Sequence, residues 1–161
     1  MVTLPPQDPR CELLLVEFSP SDALPFTWLS LTTPGLNIEK TTLTRALAET
    51  GEHDYGMIFI DIPAEPSQLE WFLIGELVCR QQARRPMPVI VPVVASGSIL
   101  HGMSRLLCQV SPVYLTRPLD LNDLQQVVRA FASQPHARSI VPPPALQDRG
   151  QTHAVFAISS R

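Results

Sequence analysis

Four side chains in this 161-residue sequence have the types and positions for shared chemistry. Asp61 closes the apolar run "YGMIFIDIP" (55–63) and Glu17 closes "ELLLVEF" (12–18). Val94 lies near the end of "PVIVPVVAS" (88–96), and Arg117 follows "PVYLT" (112–116). Burying a charge is costly, so a carboxylate at the end of a core strand needs a partner, an ion or a reaction. Two carboxylates and one guanidinium supply either a charge-assisted pair or oxygen ligands for a hard cation.

Holding these residues together requires a scaffold, and the periodicity of the chain supplies one. "ELLLVEF" is a short continuous apolar run, the pattern of a strand covered on both faces. It gives way to "SPSD", where Ser19 caps a helix, Pro20 takes the first position and Asp22 completes a capping box. That helix is expected to run to Leu31 and stop at "TTPG". "LNIEKT" (36–41) alternates like a half-exposed edge strand, and "LTRALAETG" (43–51) has helical spacing that closes on Gly51. After "YGMIFID", a long helix is expected from Pro66 or Ser67 onward. Its inner stripe is Leu69, Phe72, Leu73 and Leu77, with Trp71, Ile74 and Val78 as a second apolar stripe. "PVIVPVVAS" is a fourth strand, in which Pro92 predicts an edge or a bulge. "GSILHGMSRLLCQV" (97–110) has helical spacing, and "PVYLT" is a short fifth strand. "DLNDLQQVVRAFAS" is a last amphipathic helix capped by Asp120.

Five strands alternating with five helices through short connections predict an α/β fold. The expected form is a doubly wound, five-stranded parallel sheet with helices on both faces, flavodoxin-like in architecture. In such sheets ligands gather at the carboxyl ends of the strands, where Glu17, Asp61, Val94 and Arg117 all fall. Residues 1–10 read as a flexible leader, 11–133 as the domain, and 134–161 as a proline-rich linker or tail. Within that tail, "AVFAIS" has the character of a lone strand suited to a partner's sheet edge or to the start of a further domain.

Composition narrows the function classes. A hydrophobic fraction of 45% with 17% charged residues fits a folded domain rather than a disordered chain. The formal net charge of −3, with Lys40 the sole lysine, gives no electrostatic case for nucleic acid. Cys11, Cys79 and Cys108 are too far apart for a zinc or disulfide framework and read as reduced thiols. No apolar run reaches membrane-spanning length and the first ten residues do not form a signal peptide, so a cytoplasmic setting is expected. His53, His101, His136 and His153 are scattered. No dinucleotide fingerprint, phosphate-binding lysine loop or nucleophile elbow occurs.

Three segments, in this order and spacing, resemble the receiver domain of two-component response regulators over residues 11–133. "LLLVEFSPSDA" looks like the first strand and its acidic turn, "HDYGMIFIDIP" like the strand carrying the phospho-acceptor aspartate, and "VYLTRPLDLNDL" like the fifth strand with its Lys-Pro step. The resemblance implies that Asp61 takes the acceptor position and Glu17 that of the first acid. It also implies that Phe18 replaces the second acid, Val94 the hydroxyl residue, and Arg117 the lysine. Tyr114 takes the position of the switch aromatic. Phenylalanine offers Mg²⁺ no oxygen, valine offers a phosphoryl group no hydroxyl, and arginine hydrogen-bonds as a planar fork rather than as a point charge.

The resulting expectation is a non-catalytic pseudo-receiver: a signalling module with no cofactor that works by docking to a protein partner, independently of phosphorylation. Asp61 is expected to pair with Arg117; the plainer alternative is that its carboxylate caps the following turn. Trp71, Ile74 and Val78 are the expected interface. Homodimerisation through the family's fourth and fifth helices is a second mode that the resemblance implies. The competing reading is an atypical receiver, phosphorylated on Asp61 by a histidine kinase, with Mg²⁺ held weakly by Glu17, Asp61 and the backbone carbonyl of Pro63. A third class, an enzyme or cofactor carrier on the same architecture, lacks the glycine-rich or histidine-bearing loops that such carriers use.

Overall fold

The computed structural model describes residues 11–85, 87–95, 111 and 113–132. The leader, the helical segment expected over 97–110 and the tail lie outside the described residues. The elements, in chain order, are β1 (Cys11–Val16), α1 (Leu24–Thr32), β2 (Leu36–Thr41), α2 (Leu43–Glu52), β3 (Met57–Asp61), α3 (Gln68–Gln82), β4 (Val89–Ala95), β5 (Leu115–Arg117) and α4 (Leu121–Ala132). The strands form one parallel sheet in the order β2-β1-β3-β4-β5.

The continuous apolar runs form the interior strands because both of their faces are covered. Met57, Ile58, Phe59 and Ile60 of β3 are all buried, as are Leu13 to Val16 of β1. Alternation divides these side chains between two core layers. On one face Leu13, Leu15, Met57, Phe59, Val91 and Val93 meet Phe26 and Leu29 of α1 and Leu124 and Val127 of α4. On the other, Leu14, Val16, Ile58, Ile60 and Ile90 meet Ala46 of α2 and Ile74, Leu77 and Val78 of α3. The sheet therefore has helices on both faces, as the alternation of elements predicts.

Pro92 lies in an interior strand, with β3 on one side and β5 on the other, and not at an edge or bulge. Its register with Ile60 is unbroken. The reason lies in the direction of its missing donor. The Val93 carbonyl accepts from Ile62 N–H at 2.8 Å, so Val93 faces β3 and Pro92 faces β5. Pairing with β5 begins only at Val93, opposite Leu115, so Pro92 interrupts no bond on that side.

The inner face of α3 differs in part from expectation: Leu73 and Leu77 turn inward as expected, joined by Ile74 and Val78, while Leu69 and Phe72 do not. Ser67 and Glu70 form a reciprocal capping box that fixes the start of the helix. From that start, Ile74, Leu77 and Val78 enter the core, which removes Ile74 and Val78 from the expected interface, while Trp71 packs partly against the core and stays half-exposed. Leu69 and Phe72 face outward instead, Phe72 at 66% exposure. The sequence pattern was ambiguous because both stripes are apolar, and the packing of α3 against α2 and the sheet decides which one turns inward.

Leu77→Ala should therefore lower stability by about 2–5 kcal/mol in a urea melt, through lost burial and a cavity. Phe72→Ser should change it by no more than about 0.5 kcal/mol. The reverse order of effects would mean that α3 is rotated from the orientation described.

Candidate functional site

The site is the end of the sheet where β1, β3, β4 and β5 terminate. β3 runs to Asp61, after which Ile62 makes one further bond to Val93 and Pro63 follows. Asp61 pairs in register with Val93, and Val93 with Leu115; Ala95 pairs with Arg117. Paired residues point to the same face of a sheet. Asp61, Val93, Ala95, Leu115 and Arg117 thus share the face covered by α1 and α4.

This register corrects one expected site residue. Val94 points to the opposite face and packs in the layer under α2 and α3, so Val93, one position earlier, is the apolar neighbour of Asp61. Either residue leaves the position without a hydroxyl. Tyr114 is also on the opposite face, half-buried against that second layer.

Asp61 is nearly enclosed, its side chain retaining 10% exposure. Arg117 Nη1 stands 3.4 Å from Asp61 Oδ1, an ion pair, while Arg117 Nη2 donates to the Ile62 carbonyl at 2.9 Å. The contact is one of charge rather than a fork of hydrogen bonds. Among the described residues, neither Asp61 Oδ1 nor Arg117 Nε has a hydrogen-bond partner. The Arg117–Pro118 bond is cis.

The balance of these forces leaves the Asp61 carboxyl pushed up from 3.8 to about 6. Loss of water is the largest cause; the Arg117 guanidinium opposes it, and the Asp22 and Glu17 carboxylates add to it. Asp22 was read from sequence only as a capping residue. The expected helix start at Ser19 and Pro20 is not found: α1 begins at Leu24 with Ala23 as its cap. The Ser19–Asp22 bonds close a turn instead, from which the Asp22 field also reaches Asp61. Sequence spacing carried no signal of that second effect.

Glu17 and Phe18, which follow β1, have been drawn into other work. Glu17 has a φ of 66°, the left-handed region that a non-glycine residue seldom occupies. In that conformation its N–H donates to the Thr41 carbonyl at 3.0 Å, and its carboxylate accepts from Leu43 N–H at 2.5 Å. It therefore caps α2, where an anion meets the positive end of the helix. The Phe18 ring packs edge-on to Phe26 at 5.2 Å, and Phe26 packs in the same way on Phe59 at 4.9 Å. Phe18 thus extends the core upward toward the site.

These positions decide whether Mg²⁺ fits. A divalent cation here would need several oxygen ligands around Asp61. Phe18 has none, the Glu17 carboxylate is committed to Leu43, and Arg117 brings a positive charge against the one inward carboxylate. Among the described residues no three His, Cys, Asp or Glu side chains come together to hold a metal. The donor set does not fit the ion. Cys79 on α3 is exposed and away from this end.

No family model matches the chain, and no curated protein matches it by sequence. Solved structures do. The signal receiver domain of an HD domain-containing protein from Pseudomonas fluorescens Pf-5 superposes with a TM-score of 0.60 at 17% identity, over 78% of this chain and 96% of that one. A chain of the co-crystal of the Saccharomyces cerevisiae phosphotransfer protein Ypd1 with the Ssk1 receiver domain gives 0.62 at 17%, over 81% and 94%. The chemotaxis response regulator CheY4 of Vibrio cholerae gives 0.57 at 15%, over 75% and 98%. The chain has the receiver-domain fold.

The raised Asp61 carboxyl gives a pH dependence whose sign is fixed. The folded value lies above the unfolded one, so folding favours the protonated acid. The stability this contributes is complete below about 3.8 and is lost as pH rises through about 6. The loss should be on the order of 2–3 kcal/mol. Asp61→Asn should be more stable than the parent at pH 7.5 and should flatten the fall between pH 4 and 6 in denaturant melts; a variant with the parent's slope would show that Asp61 is not the group responsible.

Proposed function

We propose that this chain is a pseudo-receiver: a signalling module of the two-component type that acts by docking to a protein, with Asp61 serving in an ion pair rather than as a phospho-acceptor. The observation that carries this reading is the fate of the turn after β1. Where a metal-binding acid would stand, Phe18 is stacked into the aromatic ladder, and the neighbouring Glu17 is turned to cap α2. Phosphoryl transfer to Asp61 would bring one anion onto another beside Asp22 and Glu17, with Arg117 as the only cation against Asp61 among the described residues. No catalytic role and no cofactor belong to this reading, and a reducing cytoplasm is its natural setting.

Docking is supported by the outer surface. Leu24, Leu69, Phe72 and Leu121 are exposed, and all lie in the opening turns of α1, α3 and α4. In a parallel α/β sheet these turns border the carboxyl ends of the strands, the end that holds Asp61. Trp28 and Leu31 continue the exposed stripe along α1 at helical spacing. The yeast co-crystal pairs a receiver domain with a histidine phosphotransfer signaling protein, which supports protein docking by a chain of this fold without deciding the role of phosphorylation.

One observation favours the competing reading, a receiver phosphorylated on Asp61 by a histidine kinase: among the described residues Asp61 Oδ1 accepts no hydrogen bond, so only the Arg117 ion pair occupies it. Incubation with acetyl phosphate and millimolar Mg²⁺, followed by intact-mass measurement, separates the two. We expect no phosphoryl adduct above the level seen in Asp61→Asn. A stoichiometric adduct that disappears in that variant would replace the pseudo-receiver reading with the phosphorylated one.

Glu17→Ala is expected to destabilise the fold by about 1 kcal/mol, as measured by thermal or urea unfolding, through loss of its bond to Leu43 N–H, which supplements the Thr42 cap of α2. A carboxylate kept for metal binding would give the opposite sign, because its removal would relieve repulsion at Asp61.

A further inference from the structure

The edge of the sheet at β2 combines three features that the Asp61 site does not use. β2 is an end strand, and β1 is its only partner among the described residues. The Thr41 carbonyl accepts from Glu17, so Thr41, Glu39 and Asn37 face β1. By alternation the N–H and C=O groups of Ile38 and Lys40 face the open side. Beside this edge, between β2 and α1, lies a cleft of about 130 Å³. Its floor is Leu15, Phe26 and Ile38, and its rim is Thr27, Ser30 and Lys40. A cavity of this size suits a single phenyl ring. An edge that no other described strand covers, next to an apolar cleft, is a template for an added strand.

The chain itself contains a segment suited to it. α4 ends at Ala132 and packs beside α1, and both helices run toward the end of the sheet from which β2 starts. Residues 133–153 then separate that helix end from "AVFAIS" at 154–159, ample chain to reach the neighbouring edge. That segment is six residues long and uncharged, and it matches the six residues of β2. In extended form Ala154, Phe156 and Ile158 share one face.

We infer that residues 154–159 dock as a sixth strand on the open edge of β2 of the same chain, with Phe156 seated in the cleft between β2 and α1. Docking closes the sheet edge against association and lays the tail beside the exposed Trp28–Leu31 stripe of α1. The inference stands on the edge and the cleft and does not depend on whether Asp61 is ever phosphorylated.

Amide hydrogen exchange on the whole 161-residue chain tests it. The Ile38 and Lys40 amides should exchange at least about ten-fold more slowly in the parent than in Phe156→Asp, and this protection should not vary with protein concentration. Ser30→Arg, which fills the cleft from its rim while leaving the tail intact, should release the same two amides; unchanged circular dichroism would establish that the domain remains folded. Equal exchange in the parent and Phe156→Asp would overturn the inference. Protection that grows with protein concentration would also overturn it, by assigning the edge to the segment of a second copy.

Discussion

Asp61 ends a strand in which every preceding residue is buried, and the cost of keeping its carboxylate there governs the surrounding site. A carboxylate is stable in such a place only when its charge is matched and its oxygens are hydrogen-bonded. The match here is incomplete. Arg117 lies close enough to attract but spends its best-directed hydrogen bond on the Ile62 carbonyl, and Asp61 Oδ1 is left without a donor among the described residues. Desolvation therefore outweighs the ion pair, and the carboxyl titrates near 6 rather than below its ordinary value. A bidentate Arg–Asp bridge would have moved it the other way.

The aromatic ladder explains why the pocket has this form. Phe59 is fully buried on β3, Phe26 lies on it from α1, and Phe18 lies on Phe26 from the turn after β1. Edge-on aromatic contacts of this kind add about 0.5–1.5 kcal/mol beyond burial alone. A phenylalanine after β1 thus ties the turn to the core, where an acid would have held it open to water. The same turn places Glu17 in the left-handed region, a strained conformation that its two hydrogen bonds to β2 and α2 hold in place. Phe18 and Glu17 thus both stabilise the scaffold.

Much of this was legible in the sequence. The strands read correctly because β1 and β3 are unbroken apolar runs, and β2 alternates as an edge strand does. The start of α3 was legible near Pro66 or Ser67, and the Ser67–Glu70 box places it there, although the sequence pattern did not single that box out. What failed to read was direction. Which of two apolar stripes on α3 faces inward depends on packing against α2. Whether Val93 or Val94 faces Asp61 depends on a strand register that a valine run cannot encode. Pro92 was misread because the cost of a proline in a sheet depends on which neighbour its missing donor faces. The electrostatic reach of Asp22 depends on how the turn after β1 folds back, and that turn has no periodicity.

On the pseudo-receiver reading, the raised carboxyl and the apolar collar are one system. Leu24, Leu69, Phe72 and Leu121 surround the end of the sheet where Asp61 lies. A protein that buries this collar also removes water from the mouth of the Asp61 site, which further penalises the charged form. Binding and proton uptake at Asp61 then favour one another, because a ligand that prefers one protonation state must by linkage shift that equilibrium. Arg117 limits the coupling, since its charge holds part of the Asp61 population ionised in either state. On that reading, Phe18 and the committed Glu17 leave Asp61 sensitive to burial, because any partner that covers this end of the sheet acts on a carboxyl already raised by loss of water.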